Sequence, residues 1–279
     1  MRERVHQLRL RVLQPLWVVR LALSRRRIPP ASGDSGLVVC LTSHPSRIRH
    51  AWIAIETIFR QRRVPDRIVL VLGEDKFASR TLPRMLVRQQ RRGLEILWVP
   101  HDCGSFDKLV PLRVASPDAV IITVDDDAMY APSVVARLTD YATDHPGTVV
   151  GNRGRVIQCD DAGLVPYLDW PLATPETPAE RLVLTGVGGV LYPPGVLPIE
   201  LLSDMDLATT LCPTNDDIWF WAVAGAAGVP THCLGLESHQ PVRRQAGTPR
   251  LETINRFQGE FDRQFAHVVE YFRSHFIRA

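Results

Sequence analysis

The stretch that decides the fold runs from Val120 to Asp127 and reads VIITVDDD. Its first half is short, apolar and rich in β-branched residues. Such a run predicts a strand buried on both faces, here over Ala119–Val124, because strands covered on both sides need no polar alternation. Three carboxylates then follow at the carboxyl end of that strand.

Three adjacent carboxylates repel one another, and burial raises that cost further. A divalent cation removes both penalties, and oxygen ligands suit Mg²⁺ or Mn²⁺. Alternate residues of an extended chain face the same side, so Asp125 and Asp127 are predicted to act together while Asp126 points away. A helix N-cap ahead of Pro132 is the structural alternative, but a cap needs a single Asp.

Working outward, apolar runs alternate with segments of helical spacing. The predicted strands are Leu37–Leu41, Arg67–Leu72, Glu95–Val99, Thr148–Gly151 and Gly189–Tyr192. The predicted helices are Ile48–Phe59, Leu82–Arg91, Lys108–Ala115, Val134–Tyr141, Asp216–Ala227 and Glu252–Phe276. This alternation predicts an α/β domain with a largely parallel sheet, in which ligands bind at the carboxyl ends of the strands.

The charge of the chain is unevenly distributed. Its 279 residues carry a formal net charge of +3, from 33 basic and 30 acidic residues. Residues 1–30 hold eight arginines and one acid, a net charge of +7, which leaves −4 for the rest of the chain. The composition is that of a globular protein. An acidic body with basic residues concentrated at one end disfavours nucleic acid as a partner.

The basic arm also has an apolar face, made by Val5, Leu8, Val12, Leu16, Val19 and Leu23. These residues recur at the spacing of one helix face. A basic amphipathic helix of this kind is typical of a membrane-surface element, although packing on its own domain remains an alternative. The uncharged run 12–19 is too short to span a bilayer. We expect an arm (1–30), a main domain (31–240) and a helical C-terminal extension (241–279).

The cysteines and the arm together predict a location. Five widely spaced cysteines form no C-x-x-C pair, which indicates a reducing compartment rather than a disulfide framework. Arg20 interrupts the apolar stretch that a secretory signal requires. We therefore expect a cytoplasmic protein that binds peripherally to the inner membrane face.

Two further segments carry functional or structural signals. Asp216 and Asp217 open a helix that is apolar almost all round, and two acids exceed what a cap needs. The helix N-terminus stabilises their charge, and a carboxylate there can act as a general base. The predicted C-terminal helix, Glu252–Phe276, carries a phenylalanine stripe that is either core or a second membrane or partner face.

Five blocks, taken in order, resemble the GT-A glycosyltransferases. They are the D-x-D tripeptide Asp125–Asp127, the first strand and loop Val38–Arg47, the Asp107-Lys108-Leu109 segment, the glycine-rich Gly186–Pro194, and the acidic helix start Thr214–Trp221. The chain is most similar to a bacterial family-2-like branch of capsule and lipopolysaccharide biosynthesis. The resemblance implies a Rossmann-like, mostly parallel mixed sheet flanked by helices, to which we add amphipathic N- and C-terminal helices.

The resemblance also implies an activity and a set of residue roles. The activity is metal-dependent transfer of a hexose, with inversion, from a nucleotide-sugar donor (a UDP-sugar is favoured) to a glycan or lipid-linked acceptor. Asp127, Asp125 and His239 would hold Mn²⁺ or Mg²⁺. Asp217 would be the base, with Asp216 behind it. Donor binding would fall to Thr42, Ser43, Arg47, Lys108, Asp125, Gly188 and Gly189.

Each of these side chains also has an ordinary structural explanation, as a turn residue, a surface ion pair, a cap or a solvated lysine. Two other classes of protein stay open. A sugar-phosphate nucleotidyltransferase shares the α/β fold and the carboxylate-bound metal, but its glycine-rich first loop is replaced here by a loop with Pro45 and no glycine. A non-catalytic membrane-associated module would leave both acidic clusters without a ligand.

Overall fold

The computed structural model describes residues 17–28, 36–161, 163–236, 239–242 and 259–273. The strands are β1 (Leu37–Thr42), β2 (Arg67–Gly73), β3 (Leu94–Val99), β4 (Val120–Thr123), β5 (Ala128–Tyr130), β6 (Val149–Gly151), β7 (Gly154–Val156), β8 (Cys159–Asp160), β9 (Gly163–Leu164), β10 (Leu182–Leu184), β11 (Val190–Tyr192), β12 (Thr231–Cys233) and β13 (His239–Pro241). The helices are α1 (17–22), α2 (Ile48–Ile58), α3 (Arg84–Gln90), α4 (Val110–Ala115), α5 (Val134–Asp144), α6 (Ile199–Leu202), α7 (Met205–Leu211), α8 (Asp216–Ala226) and α9 (Glu260–Tyr271).

Seven strands form the central sheet in the order β12-β6-β11-β4-β1-β2-β3. β1 pairs in parallel with β2 and β4, and β2 pairs in parallel with β3. β11 runs antiparallel between β4 and β6. This arrangement confirms the predicted α/β class with a mostly parallel mixed sheet flanked by helices.

Successive side chains of the central strands point to opposite faces of the sheet and so contribute to two hydrophobic cores. Val38 and Cys40 pack on one face of the sheet with α4, α8 and α9, whereas Val39 and Leu41 pack on the other with α2 and α5. Both sets are fully buried. Strands covered on both faces hold the loops at their carboxyl ends in fixed positions.

The structure changes several predicted element bounds, two of which concern the acidic loop and the C-terminal helix. β4 ends at Thr123, one residue before the predicted end at Val124, and Asp125–Asp127 lie in the loop after it. The described C-terminal helix, α9, begins at Glu260 after Gly259, whose φ of +71° is a left-handed conformation that interrupts a helix; residues 252–258 of the predicted helix lie outside the described residues. Ile254, Phe257 and Phe276 of the predicted stripe lie outside the described residues.

The phenylalanine stripe of α9 belongs to the core. Phe261, Phe265, Val268 and Phe272 are buried and join the same apolar cluster as α8. Phe265 lies with its ring centroid 5.1 Å from that of Trp170 and 4.8 Å from that of Trp221. Of the two interpretations of this stripe, core packing is therefore the one that the structure confirms.

The described part of the arm has two unlike faces. Leu21 and Val18 of α1 pack against Ile53, Trp52, Met129 and Val242. Val19 and Leu23, which belong to the predicted apolar face, point outward and are 59% and 72% exposed. The described part of the arm thus packs on its own domain through one face, while Val19 and Leu23, the described members of the predicted apolar face, stay in solvent.

Candidate active site

The site lies at the carboxyl edge of the sheet and is centred on one lysine. Lys108 ends a 3₁₀ turn, Gly104–Lys108, that follows β3. Its Nζ lies 2.8 Å from Oδ1 of Asp125, in the loop after β4, and 2.9 Å from Oδ2 of Asp216, at the first residue of α8. The lysine side chain is only 6% exposed. One buried cation therefore joins two acidic segments that are 91 residues apart in the chain.

Asp217 faces the same region from the first turn of α8. Its Oδ1 accepts a hydrogen bond of 2.9 Å from the backbone N–H of Gly186, which precedes β11. A Cβ at Gly186 would lie 2.9 Å from Lys108 Nζ and 3.1 Å from Asp217 Oδ1. The absence of a side chain at Gly186 therefore leaves space where the lysine and the acid approach the backbone.

The charges at this edge shift one another's pKa values. Burial by itself lowers the pKa of Lys108, but Asp125, Asp216 and Asp217 together raise it well above its usual value. Burial raises the pKa of Asp125, and the Lys108 ammonium more than reverses that effect, so it ends lowered. Burial, followed by the negative charge of Asp216, raises the pKa of Asp217 to about 7. The site thus holds one carboxyl group that titrates near neutral pH beside one that stays ionised.

Asp126 points away from Asp125 and into the protein. Its Oδ2 accepts a hydrogen bond of 2.5 Å from Ser43 Oγ and lies 3.4 Å from Nε of Arg47. Thr42 Oγ1 donates to the carbonyl of Val71. Ser43 and Arg47, both expected to bind the donor, therefore hold the loop after β1 against the acidic loop after β4, whereas Thr42 ties the end of β1 to β2.

The loop that carries Asp127 is closed by a two-stranded ladder. β13 pairs antiparallel with β5, which places His239 opposite Tyr130, with the two ring centroids 6.4 Å apart. The Val242 N–H donates to the carbonyl of Asp127 at 2.7 Å. His239 is near enough to Asp125 for its charge to contribute to the lowered pKa of that carboxyl. The ladder and this bond thus place the backbone of Asp127 and His239 beside the loop that carries Asp125.

The donor set fits Mn²⁺ or Mg²⁺ in a particular way. Within the described ranges, no three His, Cys, Asp or Glu side chains form a ready-made metal cluster. Mg²⁺ is commonly held by one or two carboxylates together with substrate phosphates rather than by an all-protein cage. Asp127 and Asp125, with His239 nearby, fit that partial kind of site.

The two glycines selected from the sequence face the protein. A Cβ at Gly188 would meet Arg153 at 2.6 Å, and one at Gly189 would meet Val134 at 3.3 Å. Gly189 has φ +83°, so it forms the turn into β11. Asn152, which is fully buried, donates through Nδ2 to the carbonyl of Gly188. These contacts hold the turn that presents Gly186 to the site.

Two residues at the site were missed by sequence reasoning. Gly186 opens the same glycine-rich run, and nothing in the sequence distinguishes it from the two glycines after it. The Tyr130 hydroxyl accepts a hydrogen bond of 2.7 Å from the backbone N–H of Asp125, and Thr57 Oγ1 in turn accepts from the Tyr130 N–H. A tyrosine five residues after an acid carries no local signal for that role.

Comparison with known proteins finds similarity at the level of solved structures. No family model and no curated protein matches the chain. The chain is similar to the mannosyltransferase PcManGT from Pyrobaculum calidifontis in complex with GDP-Man and Mn²⁺, with 14% identity, a TM-score of 0.48, and coverage of 93% of this chain and 71% of that one.

Two further structures are similar. S. aureus TarS 1-349 in complex with UDP-GlcNAc has 12% identity, a TM-score of 0.49, and coverage of 87% of this chain and 73% of that one. A 4-diphosphocytidyl-2C-methyl-D-erythritol synthase has 14% identity, a TM-score of 0.45, and coverage of 80% and 99%. The chain spans 44% of a longer TarS chain. At these identities and TM-scores the likeness describes the chain trace, and the chemistry of the site rests on its own residues.

Proposed function

We propose that the protein is an inverting glycosyltransferase that moves a hexose from a nucleoside-diphosphate donor to a glycan or lipid-linked acceptor in polysaccharide biosynthesis. The observation that carries this proposal is the meeting of Lys108, Asp125 and the Asp216–Asp217 pair at the carboxyl edge of a parallel sheet. A ligand at this edge meets a cation, a candidate metal loop and a candidate base at once.

The donor side of the proposal rests on Asp125, Asp127 and Lys108. Bound Mn²⁺ or Mg²⁺ would neutralise the leaving diphosphate, with Asp127 and His239 as its protein ligands and Asp125 at the ribose or a metal-bound water. Lys108 holds the Asp125 carboxylate in place and brings a positive charge to the diphosphate side of the site. We favour a UDP-sugar as the donor.

The acceptor side rests on Asp217. Its Oδ1 is fixed by the Gly186 N–H, and no donor among the described residues pairs with Oδ2. That oxygen is available to take the proton from an attacking hydroxyl group. A pKa of about 7 makes the carboxylate a stronger proton acceptor than an ordinary Asp, because a catalytic pKa near the working pH favours general-base catalysis.

The proposal is tested by measuring donor hydrolysis and transfer across a panel of UDP-, GDP- and TDP-sugars with Mn²⁺, and again with a chelator. We expect turnover of one nucleotide class and its loss on chelation, with Asp127→Ala as inactive as the chelated enzyme. Activity that survives both the chelator and Asp127→Ala would overturn the metal role.

Replacing the base gives a more specific prediction. Asp217→Asn is expected to lower kcat by about 10²–10⁴-fold while leaving donor KM nearly unchanged, because the amide cannot accept the proton. In the wild type, kcat/KM should rise with pH through about 7, since the raised pKa of Asp217 means that ionisation is completed only above that value. Asp118→Asn, an exposed acid at the amino end of β4, is the matched control. A normal kcat in Asp217→Asn would refute the assignment.

The same assays separate the alternatives. A nucleotidyltransferase would release pyrophosphate from a nucleoside triphosphate and a sugar phosphate without consuming a nucleotide sugar. Two observations argue against a nucleotidyltransferase. Ser43 and Arg47 are held by Asp126, and the loop after β1 contains no glycine-rich phosphate-binding segment. A non-catalytic module would bind vesicles and turn over neither class of substrate.

We also propose that the enzyme works on the cytoplasmic face of the inner membrane and binds it through residues 1–30. In the described part of this arm, Trp17, Val19 and Leu23 are exposed beside exposed arginines at 20, 25, 26 and 27. Apolar and basic side chains on one surface fit an anionic lipid surface. Among the described residues, no helix is both long and apolar enough to cross a bilayer.

A further inference from the structure

We infer that the described part of the arm (17–28) is a brace for the loop Asp125–Tyr130, which carries the predicted metal ligands, and that docking of α1 on an anionic bilayer restrains this loop further. This inference rests on the proposed function, whose site and membrane face it connects. The connection runs from Leu21 of α1, through Val242 after β13, to the backbone of Asp127.

The first link is apolar. Leu21, Ile53 and Val242 form a separate buried cluster, with Val18, Trp52 and Met129 packed at its edge. Leu21 and Val242 are each 4% exposed. The cluster therefore joins the arm to β5 and to the residue after β13, the two strands that close the acidic loop.

The second link is a run of backbone hydrogen bonds. Val242 donates its N–H to the carbonyl of Asp127, and the β13–β5 ladder continues from that point to His239 and Tyr130. Tyr130 in turn accepts the N–H of Asp125. Val242 is thus connected by hydrogen bonds to both ends of the acidic tripeptide, directly at Asp127 and through the ladder and Tyr130 at Asp125.

The arm itself is tied to the body by arginines. Arg88 donates to the carbonyls of Ala22 and Ser24, and Arg92 donates to that of Arg26. Arg92 is anchored in turn by a buried ion pair with Glu56, 2.7 Å long. These bonds fix which face of α1 meets Leu21's cluster and which faces outward.

The outward face identifies the partner by its chemistry. Trp17, Val19 and Leu23 are 52%, 59% and 72% exposed. Arg20 lies 5.8 Å above the Trp17 ring, and arginines 25–27 are exposed just beyond. Exposed apolar side chains can insert between lipids, and the arginines beside them attract anionic headgroups, so this face fits an anionic bilayer. Leu21, on the inner face of the same short helix, packs against Val242. Lipid contacts that restrain the outer face of α1 therefore restrain this packing as well.

The experiment measures amide hydrogen exchange and vesicle co-sedimentation of the full chain, with phosphatidylcholine vesicles containing phosphatidylglycerol and with phosphatidylcholine alone. Anionic vesicles should bind the protein and slow exchange at Asp125–Tyr130 and Val242 by about tenfold, whereas neutral vesicles should do neither. Binding without a change in exchange, or no binding at all, would overturn the inference.

Two variants separate the faces. Leu23→Ser, on the outer face, should abolish the effect of vesicles and leave exchange in solution unchanged. Leu21→Ala, on the inner face, should speed exchange at Val242 by about tenfold or more without vesicles. Leu202→Ala, a fully buried leucine in the other core, controls for general loss of stability. Equal exchange at Val242 in Leu21→Ala and Leu202→Ala would refute the brace. Because neither readout uses a sugar donor, failure of the proposed transferase activity is observed separately.

Discussion

Lys108 shows how single residues set the character of the site. Its ammonium group contacts two carboxylates directly, and the charge of a third, Asp217, also raises its pKa. The cluster therefore keeps a negative excess that a bound cation would neutralise. The lysine also decides which acid stays ionised, because Asp125 contacts it and Asp217 does not.

Gly186 gives the prediction that belongs to this scale. Gly186→Ala should lower kcat by about 10²-fold, because its Cβ would meet Lys108 Nζ at 2.9 Å and Asp217 Oδ1 at 3.1 Å and displace both. Steady-state kinetics, with thermal unfolding as a check on folding, measures the effect. Gly195→Ala is the control for a new Cβ that meets nothing within 4 Å; because Gly195 has φ +70°, its kcat is compared only after thermal unfolding shows that this strained turn leaves the fold intact. Equal kcat values in the two variants would show that the gap at Gly186 has no role.

At the scale of elements, α8 and α9 form the wall behind the site. α8 is apolar almost all round and buried, as predicted, and starts with its two acids at the sheet edge. α9 packs along it through Phe265, and Gln264 of α9 bonds Thr214 just before α8. The position of Asp216 and Asp217 therefore depends on a helix far away in sequence.

This dependence predicts a stability difference between two aromatic residues of α9. Phe265→Ala should lower the free energy of unfolding by about 3–5 kcal/mol, because the ring is buried among Trp170, Trp221 and Phe261. Tyr271→Ala, at an exposed position of the same helix, should change it by no more than about 0.5 kcal/mol. Denaturant unfolding compares them. Similar losses for both variants would mean that α9 is not part of the cooperative core.

At the scale of the whole molecule, the carboxyl edge concentrates acids that the fold makes costly to ionise. Burial, then the charges of Asp102 and Asp75, raises the pKa of Asp107 to about 7. Asp217 shares that value. Between the ordinary pKa near 3.8 and about 7, the folded chain holds protons that the unfolded chain has released. Stability contributed by these groups is therefore present at low pH and declines as pH rises through that window.

Asp107→Asn tests this linkage. The amide resembles the protonated acid, so the variant should lose less stability than the wild type between about pH 4 and 7, with the slope reduced by up to about 1.4 kcal/mol per pH unit. The exposed Asp118→Asn serves as the control. Denaturant unfolding at a series of pH values would contradict the linkage if the slopes for wild type and Asp107→Asn coincide.

The sequence predicted the regular elements better than their junctions. The strands around Val39, Val69 and Ile122 were found within a residue or two because β-branched runs carry their own signal. The ladders β5–β13 and β7–β10 were not predicted, since three-residue strands have too few positions to show a period. The break before α9 was not predicted, because the apolar spacing continues across Gly259 and only the left-handed φ of that glycine separates α9 from the residues before it.

The sequence by itself determined the fold class, the acidic segments and the burial of α8, because these follow from local composition and period. Only the tertiary structure decided how the acids divide their roles. In the folded chain Asp126 accepts a hydrogen bond from Ser43, and Lys108 forms ion pairs with Asp125 and Asp216. The Gly186 N–H donates to Asp217. These contacts join residues far apart in the chain, and no local pattern encodes distances between segments that meet only when the sheet has formed.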